Sequence, residues 1–76
     1  MTKNQRLTLK GKLLYASEQY HLTLSHVEKF PNTDYSKVIE FNHGALWMIQ
    51  DVCYSMKIPH DEIQTIINSG KLTAKG

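Results

Sequence analysis

Apolar residues recur at alternating intervals of four and three along two successive stretches of this chain, and a proline-bearing turn divides them. The first stretch carries Leu9, Leu13, Ala16, Tyr20, Thr23, Val27 and Phe30; the second carries Tyr35, Ile39, Asn42, Leu46, Ile49, Cys53 and Met56. That spacing lays each set along one stripe of a helix. Between them, Pro31 disfavours helical backbone at Phe30. Asn32, Thr33 and Asp34 then supply residues suited to capping a following helix. The pattern predicts an all-α fold, an antiparallel helical hairpin with a short helix after it.

The expected helices cover 9–29, 35–57 and 60–69, within a helical domain spanning 8–70. Gly11 and Gly44 each cost about 1 kcal/mol against alanine inside a helix, so Gly11 is expected to fray the first turn. Gly44 is expected to mark a bend or a close backbone approach. Pro59 ends the second helix and suits the opening of the third. Asp61 and Glu62 complement the positive helix start, Ile63, Ile66 and Ile67 form one apolar face, and Gly70 reads as a C-terminal stop. Residues 1–7 read as a basic, disordered arm and 71–76 as a frayed tail.

An α+β arrangement competes with this reading. Arg6 to Lys10 and Tyr20 to Ser25 alternate polar and apolar as strands do, and Tyr35 to Phe41 offers a third strand. Length decides against it, since the helical stripe persists over six turns and the alternation over about three residue pairs.

A chain of 76 residues holds one domain at most. Small domains usually need disulfides, a metal or a partner subunit. Cys53 is the only cysteine, so no internal disulfide can form. Two helices of about 30 Å leave each seam half uncovered, and the third is too short to cover them. A homodimer resembling a four-helix bundle is the expected remedy. No apolar run approaches the length of a membrane span, and no secretory signal is visible; the expectation is a cytoplasmic protein with no membrane partner.

The net charge of +2 is unevenly laid out. Lys3, Arg6, Lys10 and Lys12 precede any acid, whereas residues 18–62 carry seven acids against three lysines. The bland reading is a solvated surface; the sharper one is a basic segment that contacts phosphates.

Among side chains that bear chemistry, Trp47 and Tyr54 share a helix face with His43 and Gln50, about 100° from the main seam. Aromatics on a face that the hairpin does not need are candidate hot spots for a partner, although the third helix or a second subunit could cover them. Leu14, Tyr15 and Leu22 also lie off the seam and join the candidate partner-binding set. Asn42 on the seam either fixes register or reaches water beside Gly44.

His21 and His26 sit five apart, about 140° round a helix, so they do not form a metal pair. His43, Cys53 and His60 have no ligand spacing, and the four histidines read as solvent-facing. Cys53 reads as packing, with no base at a spacing that would activate it. Nothing calls for a cofactor, a phosphate-binding glycine loop or a catalytic triad, and so small a chain offers few buried positions for a rigid active site.

The expected function is therefore a small non-enzymatic regulator, adaptor or inhibitor that binds another protein through a helical face, of the kind carried by phages and plasmids. The alternative is a nucleic-acid-binding helical dimer using Lys3, Arg6, Lys10 and Lys12. Against a helix-turn-helix, the segment from Pro59 to Ser69 leads with Asp61 and Glu62 and has no arginine.

Overall fold

The computed structural model describes residues 2–75, in three helices: α1 (Lys3–Lys29), α2 (Ser36–Ser55) and α3 (His60–Lys75). Met1 and Gly76, which fall in the expected arm and tail, lie outside the described residues. No strand occurs among the described residues, so the α+β alternative is overturned. The three segments with strand-like alternation lie wholly or largely within α1 and α2.

Each helix start follows from local chemistry. Thr2 and Gln5 form a capping box: the Gln5 N–H donates to Thr2 Oγ1 at 3.2 Å, and the Thr2 N–H donates to Gln5 Oε1 at 2.9 Å. Two orphan donors are satisfied, and α1 begins at Lys3. Residues 3–7, expected in a disordered arm, are its first turns, and Gly11 sits inside the continuous helix rather than fraying it. Asp34 Oδ1 accepts the Ser36 N–H at 3.0 Å at the start of α2. That bond holds the Asp34 carboxyl below its ordinary range.

The elbow after α2 is a Schellman motif. The Ile58 N–H donates to the Cys53 carbonyl and the Lys57 N–H to the Tyr54 carbonyl. Lys57 holds the left-handed conformation, φ 62°, that glycine usually takes here. Ile58 and Cys53, the pair that closes such a motif hydrophobically, are both buried.

α2 returns along α1, so that Asn42 meets Thr23 while Val52 and Met56 lie beside Gln5 and Leu9. α3 then runs in the same direction as α1, with Lys10 paired to Glu62 near one end and Ser17 against Gly70 further along. α1 therefore packs against both other helices, which touch each other little beyond the elbow. The buried apolar core is Leu13, Ala16, Leu46, Cys53, Ile58 and Ile63, extended by Leu9, Tyr20, Ile49, Ile66 and Ile67.

Gly70 is not a helix stop. α3 continues to Lys75, through residues expected to fray, and Gly70 is buried where α3 crosses α1. A Cβ there would lie 2.5 Å from Ser17 Oγ and 2.9 Å from the Glu18 backbone nitrogen. The Ser17 hydroxyl, fully buried, donates to the Ile67 carbonyl at 2.6 Å across the same crossing.

Two stability predictions follow from these backbones. Gly70→Ala must separate α1 from α3 and should cost about 1–3 kcal/mol, the usual effect of overpacking. Lys57→Gly relieves a left-handed side chain and should add up to about 1 kcal/mol. Urea midpoints measure both; an unchanged midpoint for Gly70→Ala would contradict the crossing.

Candidate functional site

The side chains expected to bind a partner do not form one surface. On α2, Trp47 is 51% exposed, and its indole N–H donates to His43 Nε2 at 2.7 Å. His43 in turn lies 5.7 Å, centroid to centroid, from the Tyr20 ring of α1. About two turns further along, Tyr54 is engaged by α3: its hydroxyl and His60 Nδ1 share a hydrogen bond at 2.6 Å, and it accepts from Gln64 Nε2 at 3.5 Å. The Tyr54 and His60 rings stack as well. Gln50, between them, is half-buried. The row thus divides into an open end at Trp47 and an end occupied by the first turns of α3.

Leu14 faces the other way, half-buried beside Glu62, Ile66 and Ser69. Tyr15, 65% exposed, stands over the groove between α1 and α2, and Leu22 is exposed further along α1. The basic residues are divided too. Lys10 pairs with Glu62 of α3, whereas Lys12 lines the α1–α2 groove. Lys3, Arg6 and Lys10 fall within about 60° of one another round α1 and Lys12 stands about 160° from Lys10, so the four do not share one face.

The histidines are not uniformly solvent-facing. The His21 ring is half-buried, with Nδ1 2.8 Å from the Ser17 carbonyl and 3.3 Å from Ser17 Oγ. A carbonyl only accepts, so Nδ1 carries the proton, and the Ser17 O–H is left to bond Ile67. His26, His43 and His60 are exposed, the last two hydrogen-bonded to Trp47 and Tyr54. Among the described residues no three His, Cys, Asp or Glu side chains gather as a metal site. Cys53 is fully buried, and loss of solvent pushes its thiol pKa up, away from the reactive thiolate.

Asn42 bonds within the chain. Its amide donates to Thr23 Oγ1 at 2.8 Å, and the Thr23 hydroxyl donates to the Gln19 carbonyl at 2.9 Å. Two seam residues are thereby matched, and a slide of α2 along α1 would strand both polar groups.

One exposed apolar feature escaped the sequence reading. α2 carries a second heptad beside the buried one: Val38, Phe41, Ala45, Met48, Val52 and Ser55. It borders α1 on one side and otherwise faces solvent, with Phe41 75% and Met48 62% exposed. Together with Thr8, Lys12, Tyr15 and Gln19 of α1, part of this stripe walls an apolar trough of about 460 Å³. The signal was present as spacing, interleaved with the seam and hidden by it.

Comparison with family models, with curated proteins and with the solved structures returned no match. No helix among the described residues is long and apolar enough to cross a membrane.

The divided row gives a prediction. Tyr54→Phe, which loses a bond joining α2 to α3, should lower stability by about 1 kcal/mol. Trp47→Phe, at a half-exposed position whose bond to His43 stays within α2, should change it by less than about 0.5 kcal/mol. Thermal melts followed by circular dichroism compare the two, and a reversed order would contradict the assignment.

Proposed function

We propose that this chain is a non-catalytic protein-binding module, an adaptor or inhibitor, whose docking surface is the outer stripe of α2 together with Tyr15. One observation carries the reading: Phe41 and Met48, on a heptad-spaced stripe, stand largely in solvent although neither the hairpin nor α3 needs them. Isolated apolar side chains are ordinary on a surface, whereas a continuous stripe beside a groove is characteristic of an interface. The trough it shares with α1 has the form that accepts an apolar helix face, with anchors spaced three and four apart.

Binding there would act by occlusion or bridging. Association as a homodimer resembling a four-helix bundle belongs to the same reading, because the stripe is as suited to a second α2 as to a foreign helix. The nucleic-acid alternative has less support. Lys10 is engaged by Glu62, and Lys12 lies on another side of α1.

Affinity capture from host lysate, with and without nuclease, tests this reading. The Phe41→Asp/Met48→Asp variant should retain its helical spectrum and lose any protein that the unaltered chain retains after nuclease. Capture that survives both substitutions would place the docking surface elsewhere. Binding lost to nuclease and weakened steeply by salt would favour the basic segment instead.

A further inference from the structure

The outer stripe of α2 is self-complementary, and we infer that its occupant is a second copy of this chain, with the two α2 helices antiparallel about a two-fold axis. This rests on the stripe being a docking surface and goes on to name its partner. In an antiparallel helix pair, each inner position of one heptad packs against the opposite inner position of the other. Setting Phe41 against the Ala45 position of the second copy places a large side chain over a small one. The same register sets Val38 against the second Met48.

The flanking positions point the same way. Lys37, Gly44 and Asp51 follow one another at seven-residue intervals along the edge of the stripe, all exposed. In that register, each Lys37 faces the Asp51 position of the other copy, twice over by symmetry, and Gly44 faces its own equivalent. Among the described residues the ion pair within the chain is Lys10–Glu62, which leaves both Lys37 and Asp51 available.

Gly44 has no other explanation in the fold. Its φ is not positive, and a Cβ built there meets nothing within 4 Å. A residue that weakens its helix and meets no need inside the chain fits a close approach from outside. A parallel pairing would set this edge against the opposite edge of the other helix, where Asn42, Ile49 and Met56 stand, and would leave Lys37 and Asp51 without a charged counterpart.

The arrangement also accounts for α1. Since α1 lies about 90° round α2 from the stripe, a two-fold pair of α2 helices places both copies of α1 on the same side. Thr8, Lys12, Tyr15, Gln19, Leu22 and His26, a heptad-spaced row on α1, then face their counterparts. The α1–α2 trough becomes the centre of a four-helix assembly, closed from the opposite side by the second copy. Phe41 and Tyr15 alone present roughly 200–350 Å² for burial, taking about 150–250 Å² for a whole aromatic side chain. With Val38, Met48 and the rim, that is a substantial part of the ~800 Å² per partner of a stable interface.

The test is sedimentation equilibrium of the full chain and three variants at micromolar concentration. The unaltered protein should be a dimer and Phe41→Asp/Met48→Asp a helical monomer. Lys37→Asp and Asp51→Lys each turn two attractions into two repulsions, and each should weaken self-association about tenfold or more at low salt. An equimolar mixture of those two variants restores both pairs, so native mass spectrometry should find the heterodimer in excess over either homodimer.

An unaltered chain that sediments as a monomer overturns the inference. So does a mixture with no preference for the heterodimer, which would mean a different register or face. Because Lys37 and Asp51 are exposed, these variants report even where Phe41→Asp/Met48→Asp fails to fold. A monomeric chain whose captured protein is nonetheless lost on Phe41→Asp/Met48→Asp would overturn the second copy as occupant while leaving the docking surface in place.

Discussion

Where α1 and α3 cross, the space between them admits a hydroxyl on one side and a hydrogen atom on the other. Ser17 supplies the hydroxyl and bonds the Ile67 carbonyl; Gly70 supplies the bare backbone. This contact sets the separation of the two helices, and much of the core depends on that separation. It brings Ile63, Ile66 and Ile67 against the α1 face that carries Leu13, and it places Glu62 beside Lys10. His21 adds a second bond at Ser17, so the polar atoms at the crossing have partners in a setting where a missing one would be costly.

With α3 on one flank of α1 and α2 on another, the long first helix acts as a shared wall. The two shorter helices meet at the elbow, where a left-handed Lys57 and the buried Ile58 turn the chain. This division explains the uneven burial of α2. Leu46 and Cys53 face the core, and Tyr54 reaches the first turns of α3. The flank of α2 that carries Phe41 and Met48 borders the open trough beside α1 and stays largely in solvent. A third helix lying in the groove between α1 and α2 would have covered that flank; a third helix laid along α1 does not.

Much of the secondary structure was legible because period and punctuation agree. The seam residues Leu13, Ala16, Leu46 and Cys53 are buried, and Pro31 and Pro59 lie between the helices. The start of α1 was missed: Thr2 and Gln5 stand at capping-box spacing, but the basic residues that follow read as an arm. Gly70 was not legible. A glycine after Asn68 and Ser69 reads alike whether it ends a helix or lets another helix approach, and only the position of Ser17, far away in sequence, separates the two. The fate of Trp47 and Tyr54 was hidden for a similar reason. Their shared face follows from local periodicity, whereas the point at which α3 covers half of it depends on how the elbow turns. The outer stripe of α2 differs again: its spacing is present in the sequence, but the buried heptad interleaved with it masks the second period.

The shared wall has a kinetic corollary. Since α2 and α3 make few contacts with each other, either can lift from α1 while its counterpart stays seated, giving two distinct partly open forms. Backbone amides of α2 and α3 would then exchange with solvent through separate openings, and those of α1 only when both have left. A lifted α2 remains tethered by the short turn from Phe30 to Tyr35, which confines it to its own molecule unless that turn straightens.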